Sequence, residues 1–291
     1  MGRPGGWGRW GAQDETGALN LVSGPVTLAA MSLVSEGRVI SLSQPLAPAG
    51  NGAAPHRAPN TRYMTRDAGD YALGARAPGG FRFAEDVVLL STHNGTHVDA
   101  LCHTWQGDEL YNGHPAADIR STSGAKRLGA ETLRPILSRG VLFDFVADNG
   151  APLPASTRIG AADLAALAQR QGVEPRAGDV VLLRTGWWGS VEGEEYWDLE
   201  PGLSPDGALW LAERDIVMVG ADNYAVEVQP SAPGETFPVH LALIHQRGIP
   251  ILENLALDTL ADTGRREFLF VFAPLPLTGS TAAPLNPLAV V

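Results

Sequence analysis

Short apolar runs alternate with longer amphipathic stretches along most of the chain. Apolar runs bounded by turn residues are typical of buried strands, and apolar residues recurring every three or four positions are typical of helices. The runs predict strands at 37–42, 86–90, 140–145, 179–184, 216–220, 249–252 and 268–272. The longer stretches predict helices at 26–35, 161–171, 205–214 and 237–247.

Two of the predicted helices carry clear end signals. The stretch 161–171 is followed directly by Gly172. The stretch 237–247 has Pro238 in its first turn and Gly248 just past its end, which is the asymmetry expected of helix termini.

This alternation of strands and helices indicates an α/β protein with a mixed sheet. No convincing linker divides the sequence, so we expect a single domain over residues 1–291. An N-terminal arm, about residues 1–35, is rich in Gly and Trp in its first part. Residues 45–85 hold Pro, Gly, Ala and Asn without clear periodicity and predict a long loop region, which in a compact domain is often a functional loop or lid.

Composition and charge narrow the classes of function. The net charge of −11 argues against a nucleic-acid or anionic-membrane partner, since both need clustered Lys and Arg. The N-terminus lacks an apolar signal core, and no apolar run approaches the roughly 18 residues of a membrane span. With one cysteine, Cys102, neither an intrachain disulfide nor a Cys-rich zinc site can form. We therefore expect a cytoplasmic protein.

A cluster of metal-competent side chains lies in the segment 91–103. Its members are His93, His97, Asp99 and His103. All occupy odd-numbered positions, so in an extended chain they project to one side. A helix would place Asp99 roughly 200° from His97, at about 100° per residue, and Gly95 would weaken it. The pattern therefore favours an extended or looping segment.

Imidazole and carboxylate together suit zinc, manganese or iron(II). Three protein ligands leave coordination positions open for water and substrate, as a catalytic site requires. The alternative is a set of histidines with separate partners, but three of the seven histidines and an aspartate within one short segment favour a metal. There is no HExxH motif of the zincin proteases and no glycine-rich dinucleotide or phosphate motif, so no redox cofactor is expected.

The segment resembles the signature of a known family. His93-x-Gly95-Thr96-His97-x-Asp99, followed by His103, is similar to the motif of the cyclase family, which includes bacterial kynurenine formamidase and isatin hydrolase. The similarity covers roughly residues 85–291. Further similar segments lie at 181–187, 201–204, 220–222, His240 with 248–255, and 273–291.

The resemblance implies a fold, a cofactor and an assembly. The family has a mixed α/β fold of the swivelling β/β/α type and forms homodimers or homotetramers. By the resemblance, a divalent metal, Zn or Mn, would be present as one or two ions. His93, His97 and Asp99 would bind the first ion, His103 would transfer protons, and His240 and Glu253 would help bind a second. The chain departs from the formamidases at Leu101, where they have Pro, and in its greater length.

These features predict a metal-dependent hydrolase. We expect a small-molecule substrate, aromatic or cyclic, with an amide, lactam, imide or lactone bond that a metal-activated water attacks. His103 would relay the proton to the leaving group. Two alternatives remain open: a polyketide-type cyclase or dehydratase that uses the metal as a Lewis acid, and a non-catalytic protein that binds metal or ligand.

Several aromatic residues are candidates for the substrate pocket. Trp105 and Tyr111 follow the motif closely and could wall an aromatic pocket, as could Trp187; ordinary core packing is the alternative. Trp7 and Trp10, on the arm, could cover the pocket of a neighbouring subunit.

Two further side chains are assigned structural roles. His245 lies five residues after His240 and is expected at the surface. Cys102 alternates away from the ligand face and is expected to be a small buried hydrophobe.

Overall fold

A nine-stranded mixed sheet organises the part of the chain that the structure, a computed structural model, describes: residues 5–46, 54–191 and 193–291. The strands are β1 Val39–Ser41, β2 Thr61–Arg66, β3 Glu85–Leu89, β4 His97–Asp99, β5 Ile119–Arg120, β6 Gly124–Ala125, β7 Ile136–Asp144, β8 Arg158–Ile159, β9 Val180–Arg184, β10 Gly202–Leu203, β11 Met218–Ala221, β12 Ile251–Glu253, β13 Glu267–Phe272, β14 Ala282–Pro284 and β15 Leu288–Val290. The helices are α1 Gly24–Met31, α2 Ala68–Ala72, α3 Phe145–Asn149, α4 Ala161–Gln171, α5 Glu194–Asp198, α6 Pro205–Ala212, α7 Pro238–His240 and α8 Asp258–Ala261.

The strand order of the large sheet is β1-β15-β13-β7-β9-β11-β12-β4-β14. Its centre, β7, β9, β11 and β12, is parallel, and the remaining pairs are antiparallel. The central strands β9 and β11 read as largely apolar runs because they are covered on both faces. The predicted mixed α/β class is confirmed.

The two helices with clear end signals form where the sequence places them. Helix α4 spans Ala161–Gln171 and stops at Gly172, whose φ of 67° is left-handed. Helix α7 begins at Pro238 and continues as a π-helix, Leu241–Arg247, before Gly248 ends it with a φ of 64°. The wider π turn was not predicted, but the segment still delivers His240 to the interior.

The long loop region predicted over 45–85 is interrupted by regular structure at 61–72, where the prediction is wrong. It contains β2 and α2, and β2 pairs with β3 in a separate antiparallel hairpin. Strand β3 was expected to be buried, but it is exposed along its length, with Val88 at 55% and Leu89 at 67%. Its apolar run pairs with β2 away from the large sheet, so no core covers it. Residues 47–53 of the predicted loop lie outside the described residues.

The N-terminal arm packs on its own chain. Trp7 donates its indole N–H to the carbonyl oxygen of His245 at 2.7 Å, and the two rings meet edge to face. Trp7 and Trp10 both pack, partly buried, against the main hydrophobic core of their own chain, and the expectation that they cover a neighbouring subunit's pocket stays a prediction. The surface role expected for His245 is wrong, because the residue is buried under this arm. Residues 1–4 of the arm lie outside the described residues.

The main core extends from Ala18 to Val291, and the single-domain organisation stays a prediction. Cys102 is fully buried within this core, and burial raises the pKa of its thiol to about 12, which confirms the expected hydrophobic role. Within the described residues, none of the helices combines the length and the apolar character that crossing a membrane requires.

Candidate metal centre

Strand β4 places His97 opposite a carboxylate. It lies between β12 and β14, and in the antiparallel pair with β12 His97 is the register partner of Glu253. Side chains directly opposite each other across two strands project to the same face. His97 Nε2 consequently lies 3.1 Å from Glu253 Oε2. Its Nδ1 is held 2.8 Å from the carbonyl oxygen of Gly95, which makes Nδ1 the donor and leaves Nε2 free to bind.

Asp99 lies on the same strand, whereas His93 and His103 reach the centre from turns on either side of it. Gly95 has a φ of 64°, and a Cβ there would lie 2.2 Å from a methyl carbon of Leu46, so the turn requires glycine. This turn brings His93 Nδ1 to 2.9 Å from Asp99 Oδ1. A second turn, after β4, brings His103 Nε2 to 3.7 Å from Asp99 Oδ2. The looping interpretation therefore describes this segment better than the extended one.

Helix α7 brings His240 to the same place. Its Nε2 lies 3.3 Å from Glu253 Oε1 and 3.6 Å from Asp99 Oδ2. On the other side of the ring, Nδ1 lies 2.5 Å from the buried carboxylate of Glu227, which also accepts the backbone N–H groups of Val239 and His240. Glu227 thus fixes the orientation of the ring and directs Nε2 at the centre. Glu227 was not predicted from the sequence. The available signal was an acidic residue inside the apolar stretch 225–228.

All six predicted ligand and proton-transfer residues converge. Two groups of potential ligand atoms each fall within 4.8 Å of one another. They are His93 with Asp99 and His103, and Asp99 with His240 and Glu253. Asp99 belongs to both groups, so a pair of ions could share its carboxylate. His97 contacts both carboxylates and lies between the two groups.

The centre holds two ionised carboxylates away from water. Burial alone would raise their pKa values, but the neighbouring histidines outweigh it. The pKa of Asp99 is lowered well below its usual value, and that of Glu253 is lowered to about 2. Burial opposes protonation of His97, yet the negative charges of Glu253 and Asp99 raise its pKa to about 9. The centre therefore attracts positive charge.

The pKa of His103 is shifted in the opposite direction from that of His97. Burial lowers the pKa of its imidazole to about 4, against the attraction of Asp99. About a quarter of the side chain, 28%, still reaches the surface of the cavity described below. A neutral, partly accessible imidazole at pH 7 is able to accept a proton.

The donor atoms of the centre fit a divalent metal ion. Among the described residues, five of the buried atoms without an aligned hydrogen-bond partner belong to this centre: His93 Nδ1, His97 Nε2, both oxygens of Asp99, and Glu253 Oε2. Leaving such polar atoms unsatisfied in the interior is costly, and native proteins rarely do so. Imidazole nitrogens and carboxylate oxygens converging in this way suit Zn or Mn. His93 Nε2, the ring nitrogen directed away from Asp99, lies 3.0 Å from the Thr281 hydroxyl, and this contact fixes the orientation of the ring.

A cavity of about 450 Å³ opens onto this centre. His103, His240 and Glu253 line it. Its aromatic walls are Trp105, Tyr224 and Phe237.

The three aromatic residues predicted for the pocket have different positions. Trp105 lines the cavity and is 41% exposed. Tyr111 is fully buried and hydrogen-bonds Asp14, and Trp187 donates its indole N–H to the carbonyl of Tyr196. Neither of these two lines the cavity, so their predicted placement is wrong. Tyr224 and Phe237 were missed because they lie far from the motif in sequence.

Comparison with known proteins gives consistent matches in sequence. The model of a family described as putative cyclase matches residues 40–228. The kynurenine formamidase of Bacillus cereus (strain ATCC 10987) is 35% identical over 200 residues, covering 68% of this chain and 76% of that protein. The isatin hydrolase of Roseibium aggregatum is 27% identical over 218 residues, covering 72% of this chain and 75% of that protein.

Solved structures match over most of the chain. The crystal structure of a protein described as a novel cyclase has a TM-score of 0.90 and 35% identity, and covers 98% of this chain and 99% of that one. A predicted metal-dependent hydrolase from Bacillus stearothermophilus has a TM-score of 0.55 at 23% identity, over 87% of this chain and 97% of that one. The predicted swivelling fold is confirmed.

Proposed function

The chain belongs to the cyclase family, and on this basis we propose that it is a metal-dependent hydrolase of a small amide, lactam, imide or lactone. The observation that carries the proposal is the set of buried, unpartnered ligand atoms at the floor of an aromatic-walled cavity. Two relatives named formamidase and hydrolase support hydrolysis, and a structural neighbour described as metal-dependent supports the cofactor.

We assign the first ion to His93, His97 and Asp99, and a second to Asp99, His240 and Glu253. Zn and Mn both suit these donors. A bound divalent ion supplies Lewis acidity, which polarises a carbonyl group and lowers the pKa of water from about 15.7 toward roughly 7.

The chain's own residues bind the substrate and move protons. Trp105, Tyr224 and Phe237 enclose an aromatic or cyclic group beside the ligands. The neutral imidazole of His103 takes a proton from the attacking water and passes it to the leaving nitrogen or oxygen.

Metal analysis and product mass test the proposal. Protein purified without added metal should contain about one or two Zn or Mn ions per chain, as the two ligand groups suggest. Chelation should abolish turnover on a panel of aryl formamides, cyclic imides and lactones, and adding the metal back should restore it. Each product should gain one water. Protein that binds no metal after reconstitution, or a product that has lost water as in a dehydrating cyclisation, would contradict the proposal.

Changing Glu227 to Gln should weaken metal binding. The substitution replaces the carboxylate that orients His240 by an amide, and comparable changes behind a ligand cost about 10–100-fold in metal affinity. Competition with a chromophoric chelator measures this directly. The matched control is Glu235→Gln, at an exposed position nearby. Equal affinity in the Glu227 variant and the wild type would show that the contact does not support the site.

We also propose self-association as a homodimer or homotetramer in the cytoplasm. The exposed apolar side chains of the β2–β3 hairpin support an interface between copies, since contiguous apolar surface is unusual on a monomer.

A further inference from the structure

An arginine lies in the wall of the catalytic cavity. Arg57 is partly buried and lines the cavity together with His103 and Glu253. It lies on the segment before β2, outside every motif that the sequence suggested. The chain has a net charge of −11, yet this cation lies in the cavity wall with His103 and Glu253.

Two contacts hold the guanidinium in place. One terminal nitrogen donates to the backbone carbonyl oxygen of His93, and the group lies 5.3 Å from the centre of the Tyr224 ring. A guanidinium has five N–H donors in a rigid fork. Among the described residues, its other donors have no acceptor.

Two other arginines with little exposure, Arg139 and Arg184, are neutralised by carboxylates. Arg139 contacts Asp179 and Glu267, and Arg184 contacts Asp144. No carboxylate among the described residues forms such a pair with Arg57. The guanidinium is therefore a partly buried cation in the cavity wall, and a ligand that supplied an anion there would gain a charge-assisted hydrogen bond.

We propose that Arg57 binds a carboxylate of the substrate, so that the substrate class is an aromatic or cyclic amide bearing an acidic group. This inference rests on the proposed function. The guanidinium of Arg57 is bonded to the backbone of His93, and the ring of His93 contacts Asp99 in the metal centre. A substrate carboxylate bound to Arg57 would therefore lie close to the scissile carbonyl at that centre. Tyr224 lies beside the guanidinium and also forms part of the cavity wall that would receive the ring of the substrate.

Two roles of Arg57 make different predictions. A residue that merely supports the His93 turn, or that stabilises negative charge developing on the scissile carbonyl, would affect charged and neutral substrates alike. A residue that binds a substrate carboxylate discriminates between them.

Binding of a matched pair of probes separates these roles. The probes are 2-aminobenzoate and 2-aminobenzamide, which have similar shape and differ in charge, titrated by calorimetry into the metal-loaded protein. The wild type should bind the benzoate at least about tenfold more tightly, the lower end expected for a hydrogen bond to a charged group. Arg57→Met should abolish this preference, and Arg57→Lys should retain part of it. The control Arg62→Met, an exposed position on β2, should bind both probes as the wild type does.

A wild type without preference, or a preference that survives in Arg57→Met, overturns the proposal. Kinetics with N-formyl-2-aminobenzoate and N-formyl-2-aminobenzamide give a second readout: Arg57→Met should raise KM for the acid alone, and an equal fall of kcat for both would overturn the assignment. If the wild type hydrolyses neither compound, the proposed function fails for formamides, while the binding preference still decides the role of Arg57.

Discussion

Replacing His97 by alanine is expected to remove the bound metal and to reduce kcat/KM at least about a thousandfold, beyond the 10–100-fold typical of residues behind a ligand. His97 is fully buried, and its Nε2 is directed at Asp99 and Glu253 by the bond from Nδ1 to Gly95. Without this nitrogen, two buried carboxylates face each other with less positive charge between them.

Metal content by mass spectrometry and turnover measure this effect together. His97→Gln serves as a second, less disruptive variant, with circular dichroism to establish that each protein is folded. His56→Ala, at an exposed histidine outside the ligand groups, should keep its metal. A folded His97→Ala protein with a full complement of metal would show that His97 is not a ligand.

Replacing His103 by alanine should leave the metal in place and lower kcat by about 10²–10⁴-fold, the range for loss of a general acid–base group. The physical reason is the position of its imidazole, which lines the cavity, is partly exposed to it and lies beside the ligand residue Asp99. Since it is proposed to move protons rather than to bind substrate, KM should change much less than kcat.

His103 also lies within ligand distance of His93 and Asp99, so the experiment must distinguish proton transfer from metal binding. Metal content and kcat must therefore be measured on the same preparation. Loss of kcat with retained metal, and partial recovery on adding imidazole, supports proton transfer. Loss of the metal from His103→Ala would instead make His103 a ligand and contradict the proposed relay.

Local signals allowed the motif and one helix to be predicted from sequence. His93, His97, Asp99 and His103 lie within one short segment, so residue type and spacing alone indicate a metal centre. Helix α4 was predicted with its observed bounds because its end is marked by Gly172. Such features depend on neighbouring residues and need no knowledge of the fold.

Features that depend on distant contacts could not be predicted in the same way. His240 and Glu253 were identified by family resemblance, since nothing local links them to a motif some 140 residues earlier. Glu227 and Arg57 reach the centre through tertiary packing and were missed. The apolar run of β3 correctly predicted a strand, but a run of apolar residues does not tell whether another layer covers it.

The position of β4 in the sheet has a consequence for how the ligands are held. This short strand carries His97 and Asp99, and it is hydrogen-bonded to β12 on one side and to β14 on the other. Amides in such doubly paired strands exchange with solvent deuterium mainly when a large part of the molecule opens, whereas turns and exposed hairpins open locally at low free energy. We therefore expect the coordinating strand to belong to the slowly opening part of the protein, and the hairpin to open locally as long as no second copy covers it.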